Sequence, residues 1–191
     1  MSVSVTSICN LALARIRAGR IASISDGSNE ADLCGLFYDP ARLATLEAHP
    51  WNFAIKRVAL AEDATYTLIF EYDNRFPLPA DCLRVICPDW EYLGWNLPWR
   101  VEGRFFMTNE ATAKIEYIAD IEDPNQFSPT FVDCLSERLA AELAVPLTES
   151  TAKEETSWRK YVDKLREARH SDAVQGKPRD WIVDAWTNAR I

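Results

Sequence analysis

The sequence predicts an α+β fold, an antiparallel helical bundle with an inserted small β-sheet domain and an extended C-terminal tail. Three observations predict it. Apolar residues recur at helical spacing toward both ends of the chain, and short alternating runs of β-branched and aromatic residues fill its middle. Between them, Pro50, Trp51 and Phe53 mark an abrupt change of period. The expected division is 1–51 and 121–176 for the two parts of the helical body, 52–120 for the β insertion and 177–191 for a tail that docks on a partner.

Residues 5–18 read as a short helix with Ile8, Leu11, Ala12 and Ile16 on one face and Gly19 as its stop. A turn follows at Asp26-Gly27, and Ser28 is placed to cap a second helix over 29–48. Its stripe runs through Leu33, Leu36, Phe37 and Leu46, and Asp39-Pro40 is a point where it kinks or divides. Pro50 disfavours the helical region for His49 and ends the helix, and Trp51 and Phe53 give the new chain direction a large apolar anchor.

Strand character then takes over. Phe53 and Ile55, TLIFEY at 67–72, CLRVIC at 82–87, WRVEG at 99–103, RFFMT at 104–108 and TAKIEYI at 112–118 are short and rich in β formers. Phe76-Pro77-Leu78-Pro79 cannot lie inside a sheet, because proline donates nothing to a ladder. The pair around Gly103 reads as a tight hairpin.

Helical spacing returns after Asp123-Pro124. Ser128-Pro129 supplies a cap and a first-turn proline. Phe131, Val132, Leu135, Leu139 and Leu143 form a stripe, with Ala140, Ala141 and Ala144 permitting close approach of a neighbour and Pro146 closing the helix. The next helix, about 150–175, starts with a Thr151/Glu154 capping box and carries Trp158, Tyr161, Val162, Leu165 and Ala168. Acidic residues lead it and basic residues trail it, matching the helix dipole; Gly176-Lys177-Pro178 ends it. The tail RDWIVDAWTNARI carries Trp181, Ile182, Val183, Trp186 and Ile191, far more apolar weight than a dispensable terminus. Such a segment docks, either on its own body or on a partner.

At 191 residues, with 48% hydrophobic and 26% charged side chains, the chain suits one folded unit with a sizeable core rather than a disordered one. No run is long and apolar enough to span a bilayer, and MSVSVTSICNLALARIRAG lacks the basic start of a signal peptide. The five cysteines are scattered without a CxxC, so reduced, mostly buried thiols in a cytosol-made protein are expected, and no metal site. The net charge of −8 is concentrated: residues 61–125 hold five basic and thirteen acidic side chains. Such a surface repels phosphate and argues against a nucleic-acid-binding module, though it equally serves plain solubility.

Catalytic signatures are missing. The two histidines, His49 and His170, form no HExxH or triad-like pattern, and the six glycines build no phosphate loop. Carboxylates are plentiful, so a two-carboxylate hydrolase stays open as an alternative. Aromatics beside arginines (Trp99-Arg100, Arg104-Phe105) could stack on nucleotides, but in strands they more often point to opposite faces.

Several blocks together resemble the tail tubular protein A family, the head-to-tail adaptor or gatekeeper proteins of tailed bacteriophages and prophages. They are RIASISDGSNEADLCGLFYDPAR, HPWNFAIKRVALA, FPLPADCLRVI, VEGRFFMTNEATAKIEYI and LAAELAVPLT, in that order along nearly the whole chain to about residue 175. HPWNFA followed by LPADCLRV is the strongest link, whereas DWEYLGWNLPW at 89–99 and the chain after 176 do not match. The resemblance implies a non-enzymatic structural virion protein, made in the host cytoplasm and located at the head–tail interface. Twelve copies would form a ring under the portal protein, extend the DNA channel and carry the tail nozzle or tail tube protein. Genomic DNA would pass without specific binding, and no cofactor, metal or membrane is implied. On that reading the tail reaches the portal, with Arg179, Trp181, Ile182, Val183, Trp186 and Ile191 as docking candidates. The alternative is a tail-associated glycan or peptidoglycan hydrolase.

Overall fold

The computed structural model describes residues 3–67, 70–92, 94 and 96–175. It is a mixed helix-and-sheet fold. Helices α1 (Val5–Ile16) and α2 (Asn29–Glu47) precede strands β1 (Ile55–Leu60), β2 (Asn74–Pro77) and β3 (Cys82–Pro88). The short helix α3 (Asp89–Tyr92), strands β4 (Trp99–Glu102), β5 (Phe105–Thr108) and β6 (Ala113–Ala119), and helices α4 (Pro129–Thr148) and α5 (Thr151–Ala173) complete it.

Local chemistry sets the helix ends. Ser4 and Ser7 form a reciprocal capping box at the start of α1, each hydroxyl accepting from the other's backbone N–H at 2.9 and 3.1 Å. The helix stops two residues before Gly19, because Arg17 adopts the left-handed region at φ 60° and closes a Schellman-type end with Ala18. Mid-helix Asn10 clamps both backbone groups of Ile21 at 2.9 Å, which folds the following loop back onto α1. Ser28 caps α2 as expected.

Pro40 does not divide α2; one helix runs through it. Pro40 and Leu36, whose carbonyl loses its donor, both lie on the exposed side, where water can replace the bond. Pro146 likewise sits inside α4, exposed, and the helix ends at Glu149 in the left-handed region (φ 51°). At α5 the cap is Ser150, one residue earlier than expected, accepting from the Lys153 N–H at 3.4 Å. The Thr151/Glu154 box is therefore not the one used.

The buried stripes differ from the expected ones in an informative way. In α2 the inward positions are Ala31, Cys34, Tyr38, Ala41, Arg42, Thr45 and Leu46, while Leu36 is 64% exposed and Leu33 and Phe37 are half-buried. The inward face of α2 mixes small side chains with Tyr38, Arg42 and Leu46, and α2 packs against α4, on which Ala140, Ala141 and Ala144 are buried. Small buried residues on both helices permit close packing, and the larger Leu36 is left outside. Leu11 on α1 and Val162 on α5 are displaced from their expected stripes in the same manner, at 46% and 51% exposure. Helix α4 is in contact with α1, α2 and α5, and its Phe131, Leu135, Leu139 and Leu143 are completely buried.

Between α2 and α4 the chain forms two three-stranded antiparallel sheets rather than one small sheet. The first has the order β1-β6-β3 and the second β2-β5-β4. β4 and β5 form the expected hairpin, with Glu102 opposite Phe105 and Gly103 at φ 58° supplying the positive dihedral its turn needs. Pro77 ends β2, an edge strand, in accord with its inability to donate to a ladder. TLIFEY is not a strand where it is described. Asp63 caps a turn through the Thr65 N–H and hydroxyl at 3.0 and 2.6 Å, and its carboxylate holds Arg75 at 2.6 Å. The Arg75 guanidinium in turn covers the Tyr66 and Phe105 rings at 4.7 and 4.2 Å.

The buried side chains form one cluster running from α1 and α2 through both sheets to α4 and α5. Replacing Phe131, which is 0% exposed, with Ala is expected to cost about 3–5 kcal/mol. Leu36→Ser is expected to change stability by about 0.5 kcal/mol or less. Urea unfolding of both variants checks the assignment; a larger loss from Leu36→Ser than from Phe131→Ala would contradict it.

Candidate functional site

The junction after α2 is where the sequence places its most pointed residues, and the structure builds it from three separate parts of the chain. Trp51 is 0% exposed and its indole Nε1 donates to the Thr45 carbonyl at 2.9 Å, capping the end of α2 from below. Pro50 sits in a tight turn closed by the Trp51 N–H donating to the His49 carbonyl at 2.9 Å, and Phe53 lies in a single 3-10 turn, Asn52–Ala54, that leads into β1. Trp51 meets Phe131 edge-on at 5.1 Å between centroids, Phe53 meets Phe131 at 5.0 Å, and Phe127 closes on both phenylalanines at 5.8 and 4.8 Å. Rings from the α2-to-β1 passage thereby pack against rings from the β6-to-α4 passage.

The last turn of α5 is fastened to the same junction. The buried Asp172 carboxylate accepts from the Asn52 N–H at 3.1 and 3.2 Å, and the Asn52 amide donates to the Asp172 carbonyl at 2.7 Å. His49 Nε2 stands 3.4 Å from the same carboxylate, and Arg169 donates to the Ala48 carbonyl at 2.5 Å. This latch was not singled out in the sequence, since its partners lie 120 positions apart. One signal was present: Asp172 places a negative charge at the C-terminal end of a helix, against the dipole, which demands a local partner.

A histidine beside a buried aspartate has the form of half a hydrolytic triad. Here the Asp172 oxygens serve the Asn52 backbone, and among the described residues no serine or cysteine side chain bonds to His49. Burial, the largest influence, holds the imidazole below its usual pKa of 6.5; Asp172 opposes this, and Arg169 and Arg84 reinforce it. The five cysteines are buried and free. Burial drives the Cys134 thiol up to about 12, and the Cys34 hydrogen bond followed by burial raises Cys9 as well, so neither is poised as a thiolate nucleophile.

The LPADCLRV stretch also proves to be a knot of fold contacts. Arg104 donates to the Pro79, Ala80 and Cys82 carbonyls at 2.5, 3.0 and 3.1 Å, binding the turn before β3 to the β4–β5 hairpin. Asp81 accepts from Lys56 on β1 at 2.7 Å and from the Tyr117 hydroxyl on β6 at 3.1 Å. Burial works against its charge, but those two donors hold the carboxyl below the usual carboxylate range.

A cleft of about 560 Å³ opens on β1 and β6, lined by Arg57, Val58, Ala59, Asp89, Lys114, Ile115 and Glu116. Its two carboxylates face two cations: Arg57 Nε lies 2.8 Å from Glu116, and Lys114 lies 3.6 Å from Asp89. Among the described residues no group of three or more His, Cys, Asp or Glu side chains is placed to hold a metal ion. No described helix is long and apolar enough to cross a membrane. The docking candidates Arg179, Trp181, Ile182, Val183, Trp186 and Ile191 lie outside the described residues. No protein-family model and no curated protein matches the chain.

His49 gives a pH test of the latch. Its folded pKa is depressed, so below about 6.5 the unfolded chain takes up a proton that the folded one resists. Stability is therefore expected to rise with pH through this window and to be lost as pH falls through it. His49→Phe retains a ring against Trp51 and is expected to flatten that slope. Denaturant midpoints at pH 5 to 8 check this, and equal slopes in the two proteins would show that His49 is not the titrating group.

Proposed function

We propose that this chain is a head-to-tail adaptor of a tailed bacteriophage or prophage, a structural virion protein without catalysis. Copies associate as a ring through a helical bundle formed by α1, α2, α4 and α5. The ring sits beneath the portal protein, extends the DNA channel and offers a platform to the tail nozzle or tail tube protein. Twelve copies are the number the family resemblance implies. The site of action is the head–tail interface of the virion, after synthesis in the host cytoplasm.

One observation carries the reading: the blocks that resemble the adaptor family fall on the frame of the molecule. HPWNFA forms the aromatic junction, LPADCLRV the turn knotted to β1, β6 and the β4–β5 hairpin, VEGRFFM that hairpin itself and LAAELAVPLT the second half of α4. The acidic excess supports it in a second way. Residues 61–125, which include β2 to β6, carry thirteen acidic against five basic side chains, a surface past which DNA can slide without being held. The apolar tail, with Arg179, Trp181, Ile182, Val183, Trp186 and Ile191, is the part proposed to meet the portal; ordering it costs entropy that large anchors offset.

The hydrolase alternative would draw on Asp89 and Glu116 in the cleft beside β1. Each has its own cation within 3.6 Å, whereas a general acid for glycoside cleavage needs a carboxyl in apolar surroundings.

Electron microscopy of the chain with the portal protein of its own genome, beside each alone, tests the adaptor reading. A ring of added density on the portal is expected. A folded chain that leaves intact portals bare would sink the proposal. Ending the chain at Gln175 is expected to abolish portal binding while unfolding stays cooperative; normal decoration by the shortened chain would remove the tail from the interface. Neither the parent chain nor Glu116→Gln is expected to turn over glycan. Turnover by the parent that Glu116→Gln loses, with its fold intact, would replace the adaptor by the hydrolase.

A further inference from the structure

Another pocket, of about 260 Å³, lies between the end of α1 and the first turns of α5 and shares no residue with the cleft on β1 and β6. It is lined by Arg15, Ala152, Lys153, Thr156, Ser157 and Lys160. Positions 153, 156, 157 and 160 recur at helical spacing, so α5 offers them on one face. Three of the six lining side chains are cations, and among the described residues no carboxylate lines the pocket. In a chain of net charge −8 that concentration of positive charge stands out.

Part of the charge is already committed. Arg15 is held by Asp133 and by Glu137, the latter at 2.9 Å, so it supplies a wall of the pocket rather than a free donor. Thr156 donates its hydroxyl proton to the Ala152 carbonyl at 2.7 Å. Lys153 Nζ donates to the Ile16 carbonyl at 2.8 Å, which ties the ammonium to the end of α1 and uses one of its three N–H donors. Lys160 has no ion-pair partner among the described residues. Ser157 is the decisive member. It is 5% exposed, and its hydroxyl has no hydrogen-bond partner among the described residues. A buried hydroxyl left unpaired costs free energy, and this one lines a pocket between lysines, ready for an acceptor that the chain itself does not supply.

Two ammonium groups with donors to spare and one hydroxyl suit an acceptor with several oxygens and about two negative charges, the character of a phosphoryl group near neutral pH. Ala152 and Lys153 belong to the first turn of α5, where the helix dipole adds to the attraction. We propose that this pocket binds the phosphoryl group of a small molecule, with Ser157 donating its hydroxyl proton and Lys153 and Lys160 flanking the oxygens. A long polyanion is a poor occupant, because the chain as a whole is negative and repels it. The bound group would link α5 to the end of α1, two helices that each pack on α4. The site rests on residues of α1 and α5 alone and does not depend on the adaptor reading.

Titration of the full chain with inorganic phosphate at fixed pH and ionic strength, followed by amide chemical shifts, tests the proposal. Saturable shifts are expected at residues 15–16 and 152–160. Ser157→Ala, which removes only the hydroxyl, is expected to weaken phosphate binding about tenfold, the scale of one hydrogen bond to a charged group. Lys160→Gln is expected to weaken it too, whereas Lys114→Gln, in the other cleft, is expected to leave it unchanged. Shifts that grow without saturating, or the parent's affinity retained in both the Ser157 and Lys160 variants, would overturn the site. Acetate at the same ionic strength is expected not to reproduce the shifts; binding of acetate with equal affinity would overturn the phosphoryl assignment. Displacement of phosphate by a short single-stranded oligonucleotide would give the site to nucleic acid and overturn the small ligand.

Discussion

The structure depends most on the contact between two ring pairs, Trp51 with Phe53 and Phe127 with Phe131. The chain leaves the helices once, between α2 and β1, and returns once, between β6 and α4; the first passage contributes one pair, and the return contributes Phe127 with Phe131 from the first turn of α4. Closing them on each other fixes where the β region joins the helices. Two polar fastenings flank the rings. Arg42, buried on α2, binds the Asp120 carboxylate and the Ile121 carbonyl just after β6, and Asp172 binds Asn52 just before β1. Each buried charge has its partners in place, the condition under which ionic groups are tolerated inside a fold.

Much of this frame is legible in the sequence. The helix starts at Ser28 and Ser128, the hairpin at Gly103 and the break at Pro50 all rest on local chemistry that a few residues determine. What is not legible depends on the identity of the neighbour. Leu36 looks like a core residue, yet α2 turns Ala31, Cys34 and Ala41 inward and leaves Leu36 outside. Pro40 and Pro146 look like helix breaks until their exposure lets water take the orphaned carbonyls. TLIFEY has β composition, but the contacts of Asp63 and Arg75 hold the chain before it in a turn.

The candidate site divides along the same line. Trp51 stands out in any reading of the sequence, whereas its fastening to α5 needs Asn52 and Asp172 from opposite ends of the chain. The residues with the most chemical promise, His49 and Asp172, are drawn into holding a backbone N–H and a helix end. Their contribution is mechanical: α5 is held at its last turn, so whatever the tail contacts is referred to the junction rather than to a loose helix end.

The pairing of Ile55 with Ile118 has a consequence for how the polypeptide finds this shape. Helices α2 and α4 touch, yet all of residues 48–128 separates them in the sequence. Bringing the ends of so long a loop together is entropically costly, and the cost grows with loop length. Once β1 has paired with β6, the loop that remains is only the two short connectors that carry Trp51, Phe53 and Phe127. The β region thus acts as a zipper pull in the search, drawing α2 and α4 into register and shortening the effective separation across which they must meet.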